Sequence, residues 1–435
     1  MAGVRQARNR LGWACIAGIA ALLAASASAT LRPAVADAGA PAFTHEQVVR
    51  GARLAAIGTC ASCHTADPAR PFAGGVPLRT PFGTIYSTNI TPDKETGIGG
   101  WPLDAFTRAM RDGVSRDGHH LYPAFPYNYY THLSDADIAD LYAFIMTRDP
   151  VRQAAHANEM RFPFGIRALV AGWNMLYLDK SPVMAQADKD AQWNRGAYLV
   201  QSLGHCGACH TPQNSLGAPD QRRYLGGGEA EGWFAPALNA DSPSPLPWTV
   251  EQLTAYLRTG IAADHAIAGG PMQEVSTSFA TADESDVRAI ATYLHSTLVP
   301  RSQNVQDHAV AASQTPLPAH TAGTTADDRQ LQLGAQVYAD ACARCHDERR
   351  QASSGGALQM PMAVAVYDPD PRSFLHIVRD GITPPSTEPS RWMPGFAGML
   401  TDEQQVALAA YLRRYAAGLP PWPGLPGAVE KAKRP

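Results

Sequence analysis

The chain has almost no net charge: 36 lysines and arginines face 39 acidic residues, leaving −3. Nucleic-acid binding needs a basic face, and this balance gives it no support. No Ser-His-Asp set and no phosphate-binding glycine loop stands out. Gly226-Gly227-Gly228 is an isolated run and reads as loop. Beyond the N-terminal segment, no stretch reaches the ~18 consecutive apolar residues needed to span a bilayer. Spare cysteine is missing too. Of seven cysteines, Cys15 lies in the N-terminal apolar stretch, and the other six fall into three short motifs. A zinc site would want paired C-x-x-C or histidine partners at a compatible distance, which this arrangement does not offer.

What the chain does have is 45% hydrophobic residues, enough for real cores, with 37 glycines and 35 prolines that break it into loops. Its 435 residues suit about three domains. Arg5, Arg8 and Arg10 precede an apolar stretch from Leu11 to about Ala27. Small-residue cleavage sites follow at Ala25-Ser26-Ala27 or Ala34-Val35-Ala36. Residues 1–36 are therefore expected to be a secretory signal peptide, the alternative being a retained anchor.

The three motifs are Cys60-Ala-Ser-Cys63-His64, Cys206-Gly-Ala-Cys209-His210 and Cys342-Ala-Arg-Cys345-His346. C-x-x-C-H is the attachment signature of c-type haem. The two thiols add to the two vinyl groups, and the adjacent histidine ligates iron. Three covalently bound haems c are expected.

The flanks repeat with the motifs, at a spacing of about 140 residues. Gly51-Ala52, Gly196-Ala197 and Gly334-Ala335 each open a helix-compatible stretch leading into the cysteines. A second helical pattern runs from Phe106 to Gly113, Leu253 to Gly260 and Phe374 to Gly381, with Arg111, Arg258 and Arg379 two residues before each glycine. A third begins at candidate N-caps Ser134, Asp283 and Thr401, with Asp137, Asp286 and Gln404 three residues on, as in a capping box. Phe144, Tyr293 and Tyr411 stand ten residues after each cap. The first and last helices of each unit are expected to cross, the glycine admitting the aromatic.

The expected fold is all-α, with three tandem domains resembling class I cytochrome c. The boundaries read as 42–149 for domain one, 150–189 for an apolar connector and 190–300 for domain two. A flexible linker is expected over 301–326, domain three over 327–417 and a Pro-rich tail over 418–435.

The repeat register also proposes distal iron ligands. Met272 lies twelve residues after Gly260, and Met393 twelve after Gly381, each in a Pro-flanked loop. A methionine sulfur raises the potential relative to a second histidine. Met399 and Met362 are fallbacks for the third unit, and Met110 reads as core. In the first unit the same place holds Phe125, which cannot ligate iron. Haem one is then expected to take His120 or His119, or to lack a protein sixth ligand.

Thr80 to Asp93, Gly97 to Trp101, Arg111 to Val114, Leu121 to Tyr127 and Asn194 to Pro212 carry a family likeness. Over nearly the whole chain after the signal, it resembles the three-haem cytochrome c subunits of membrane-associated bacterial dehydrogenases. The resemblance implies a catalytic partner that is a molybdenum, flavin or quinoprotein dehydrogenase. It further implies quinone or a terminal oxidase as acceptor, and a periplasmic location at the outer face of the inner membrane. Phe125 departs from the alcohol and gluconate branches, which place methionine there. The connector from Arg161 to Leu178 looks more like the molybdenum branch. That connector could lie on a bilayer surface or serve as a packing strut. The alternative function is a haem enzyme, such as a peroxidase, acting at an open first haem.

Overall fold

The computed structural model describes residues 42–318, 324–347, 357–383 and 392–433. The expected signal peptide, with Cys15, lies outside them. The described chain is largely helical, and its packing divides it into two compact units. Among the described residues, one comprises 42–184 and 201–205, the other 185–200 and those from 206 to 433. The connector thus packs with the first unit as far as Met184, and the stretches expected as domains two and three share one unit.

In the first unit, helix His45–Ile57 crosses helix Asp135–Met146. A methyl group on Gly51 would lie 1.9 Å from the Asp140 carbonyl oxygen and 2.7 Å from Phe144 Cβ, so only glycine admits this approach. Arg50 donates from Nε to Asp140 at 2.7 Å and from a second nitrogen at 3.2 Å, tying the crossing with a forked ion pair. Helix Leu103–Asp112 completes the triangle and ends at Gly113, in the left-handed region.

Short strands qualify the all-α expectation. Pro77–Thr80, Gly83–Tyr86 and Glu159–Met160 form an antiparallel ladder in that order, and two-residue and three-residue hairpins recur in the second unit. These are loop segments between the helices, where glycine and proline bring the chain back on itself and main-chain groups pair with one another.

The connector contains a helix, Ala168–Tyr177. Its inner side is tied down: Tyr127 donates to Asn174 Oδ1 at 2.6 Å, Asn174 Nδ2 donates to the Asp112 carbonyl at 3.3 Å, and Val170 is buried. Its outer side leaves Phe162, Met175 and Leu176 exposed at 88%, 70% and 71%.

The second unit repeats the crossing twice. Gly196 in helix Ala191–Gln201 meets Ala289 and Tyr293 of helix Glu284–Thr297. Gly334 in helix Ala326–Ala341 meets Ala407 and Tyr411 of helix Asp402–Tyr415. The repeats hold each other through a stack of Trp233 on His376 at 4.9 Å, an ion pair of Arg372 with Glu229, and a 2.7 Å bond from Ser373 Oγ to the Phe234 carbonyl.

Two stretches read as connecting or terminal segments contain helices. The stretch read as a flexible linker holds helix Gln303–Ser313, because Ala309 and Leu317 are buried and the Tyr411 hydroxyl donates to the Pro318 carbonyl at 2.8 Å. The Pro-rich tail holds helix Leu425–Ala432, packed through Leu425 and Val429, with Trp422 Nε1 donating to the Asp368 carbonyl at 2.7 Å.

The helix starts follow the expected caps with one refinement. Thr401 and Gln404 form a full capping box, and Ser134 and Asp283 accept from the Asp137 and Ser285 amides. Arg111 and Arg258 also do more than mark helix ends. They pair with Asp135 and Glu284, the first residues of the closing helices, at 2.8 and 2.5 Å.

Candidate haem-binding sites

Each C-x-x-C-H motif forms about one helical turn just after its opening helix. The six cysteines of the three motifs form no disulfide with one another. Burial, and then the neighbouring thiol, pushes Cys60, Cys206 and Cys342 each up to about 12. Pairs of thiols one turn apart, with Cys63 and Cys345 exposed, present sulfur along one edge of each site.

The histidines share one geometry. Nδ1 of His64 donates to the Thr88 carbonyl, that of His210 to the Pro236 carbonyl and that of His346 to the Leu358 carbonyl, each at 2.7 Å. A carbonyl only accepts, so Nδ1 carries the hydrogen and Nε2 keeps its lone pair. This is how proteins fix the tautomer and aim of a metal-binding imidazole. Burial lowers the pKa of all three rings and keeps them neutral, the form that binds iron. The acceptors lie 24, 26 and 12 residues after their histidines. Glycines make the loops fit: a methyl on Gly74 would meet the Thr88 carbonyl carbon at 2.4 Å, and one on Gly228 the Cys209 oxygen at 2.3 Å. The residues present therefore fit covalent haem with a histidine ligand.

On the distal side, Met272 is not in a loop but is the second residue of helix Pro271–Phe279, held there by the proline at its start. Met393 pairs antiparallel with Ile382 through reciprocal backbone bonds of 2.9 and 3.1 Å, and packs on the third-repeat core. Met399 is 70% exposed, a poor place for a ligand, and Met362 lies in the short turn Met360–Met362. Met110 is buried core, as expected.

Phe125 is half-buried and meets the Tyr130 ring edge-on at 5.4 Å. Tyr130 is itself buried within electrostatic reach of Cys60 and Cys63, so Phe125 borders the first site. His119 is drawn to Asp117, 2.7 Å from its Nδ1, while His120 is half-buried. Sequence reasoning missed the carbonyl acceptors behind the proximal histidines. It also missed buried His265, which stacks on Trp248 at 3.9 Å.

The sequence family described as "Cytochrome c" matches residues 48–149 and 194–298. That described as "Cytochrome C oxidase, cbb3-type, subunit III" matches 329–412. The motifs, helices and histidine geometry thus belong to domains of c-type cytochromes, which carry covalent haem c. Over 395 residues the chain is 46% identical to a nicotinate dehydrogenase subunit from Pseudomonas putida, covering 90% of this chain and 32% of that protein. It is 39% identical to the gluconate 2-dehydrogenase cytochrome c subunit of Pantoea cypripedii, covering 84% of this chain and 85% of that one. With the fructose dehydrogenase cytochrome subunit of Gluconobacter japonicus it shares 36% identity, over 86% and 80% of the two chains. The chain belongs to the family of cytochrome c subunits of dehydrogenases. It spans about a third of the length of the nicotinate relative. None of these three relatives is named as a peroxidase, and nothing in the geometry speaks for that alternative.

Proposed function

We propose that this chain carries three covalent haems c and conducts electrons from a catalytic dehydrogenase subunit to quinone or a terminal oxidase. The observation that supports it most is the 2.7 Å bond from each motif histidine to a main-chain carbonyl, made three times in one geometry. Cys60 and Cys63, Cys206 and Cys209, and Cys342 and Cys345 would form the thioethers. His64, His210 and His346 would bind iron through Nε2, and Met272 and Met393 would be distal ligands to the second and third irons. The haem supplies one-electron redox chemistry. The chain aims the ligands, fixes the tautomers and sets the burial that tunes each potential.

The partner we favour is a molybdenum dehydrogenase of the N-heterocycle type. Two observations lean that way: the sequence likeness of the connector, and the identity to a protein of nicotinate dehydrogenase. A flavin or quinoprotein partner is the second reading, supported by the gluconate and fructose relatives. We further propose a periplasmic location, after removal of the signal peptide, with the exposed apolar side of the connector against the outer face of the inner membrane.

The chain should be produced in a host that matures c-type cytochromes, and its haem counted by pyridine haemochrome and intact mass. Three haems per chain are expected, and two or fewer would refute the reading. Reduction of the purified chain by its isolated dehydrogenase, on addition of that enzyme's substrate, tests the electron path. No reduction by any of the three dehydrogenase types would overturn the partnership.

A further inference from the structure

We infer that His120 is the distal ligand of the first haem, which makes that centre a bis-histidine one with His64. The inference rests on the proposed attachment of haem at Cys60 and Cys63.

Register is the main argument. Helices end at Gly113, Gly260 and Gly381, all with positive φ, at 60°, 75° and 77°. The next residue in each case pairs antiparallel with a residue further along: Val114 with His120, Ile261 with Ile267, and Ile382 with Met393. His120 therefore holds, in the first repeat, the pairing position that Met393 holds in the last. The middle repeat has Ile267 there, and its sulfur donor Met272 comes five residues later. Five residues after His120 stands Phe125. Of the two positions that supply sulfur elsewhere, the first repeat offers an imidazole at one and a phenyl ring at the other. Only the imidazole can bind iron.

The surroundings of His120 agree. Its Nδ1 is enclosed and has no hydrogen-bond partner among the described residues. Buried polar atoms are rarely left so, and an ion is one of the partners that resolves such a case. The main chain is held as well. Arg167 donates to the His120 carbonyl at 2.7 Å and lies over the Tyr122 ring at 4.6 Å, while the Leu121 amide donates to the Gly113 carbonyl at 2.7 Å. The competing histidines are engaged. His119 is paired with Asp117 and its side chain is 44% exposed, and His132 donates to the Ser181 carbonyl at 2.6 Å.

The test uses the full-length haem-loaded chain, read by haem content, electron paramagnetic resonance and the sulfur-to-iron charge-transfer band. Wild type is expected to hold three low-spin haems, one with a bis-histidine signal. His120→Ala should turn about one third of the haem high-spin, with low spin regained on adding imidazole, and His119→Ala should change nothing. His120→Met should strengthen the charge-transfer band about 1.5-fold, as two sulfur-ligated haems become three. His120→Gln, closer in size and polarity, should match the alanine variant and stands in if that one fails to accumulate. Three haems with no bis-histidine signal, or low spin throughout in His120→Ala or His120→Gln, would overturn the assignment alone. Fewer than three haems in wild type would overturn the three-haem reading and this inference with it.

Discussion

At the glycine–aromatic crossings, a single side chain decides whether two helices can meet. The space beside Gly51 ends 1.9 Å from the Asp140 carbonyl, which belongs to a helix backbone and cannot rotate away. Gly51→Ala is therefore expected to lower stability by about 1–3 kcal/mol, the usual cost of overpacking, with a matching fall in Tm by calorimetry. His265 offers a second test. It is fully buried, its Nε2 donates to Gln252 at 3.1 Å, and burial lowers its pKa to about 4. With the folded value below the unfolded one, the unfolded chain binds more protons between them. Stability is then full above the ordinary histidine range and is lost as pH falls toward about 4. Chemical denaturation across that interval should show a decline of about 3 kcal/mol, flattened in His265→Gln; an unchanged slope in the variant would discount His265. Both residues illustrate what a sequence reveals. Gly51 was legible because its partner aromatic recurs at a fixed distance from a cap. His265 was not, because nothing local marks a histidine that a distant tryptophan will cover.

Among the elements, the connector from Arg161 to Lys180 is the most informative. It is both a strut and a surface. One side clamps the loop after Gly113, through Asn174, Arg167 and a 2.5 Å ion pair of Lys180 with Asp112. The other side presents Met175 and Leu176 to solvent. Such a face suits the headgroup boundary of a bilayer. Met175→Glu together with Leu176→Glu should cut binding to anionic phospholipid vesicles at least tenfold in a flotation assay, while far-ultraviolet circular dichroism stays unchanged. Equal flotation of variant and wild type would remove the membrane reading. The sequence showed the apolar content of this segment but not its division into two sides, since that depends on which residues Tyr127 and Asp112 reach. The helix at Gln303–Ser313 escaped notice for a related reason. Its composition is that of a linker, and only docking through Ala309 makes it an element.

The whole molecule gathers its motifs unevenly, because the last two repeats share one compact unit. Trp233 stands at their junction: it stacks on His376, and its ring fills the space beside Gly270, two residues before Met272. Trp233→Ala is expected to split the melting of the second unit into two transitions in calorimetry, where wild type is expected to show one. A single transition in both would mean the repeats are coupled elsewhere. The recurrence of the motif was readable from its spacing, but not this pairing, because the surfaces that join repeats carry no periodic signal.

The carbonyl acceptors behind His64, His210 and His346 have one more consequence. They belong to the main chain, so substitutions at Thr88, Pro236 or Leu358 leave the acceptor itself in place. Mutational drift in those loops is thus buffered on the side where haem is fastened. The proposed distal ligands would enjoy no such protection, since their sulfur and imidazole belong to side chains. With haem held as proposed, substitutions on that face would retune one centre while leaving the histidine aim of the others in place.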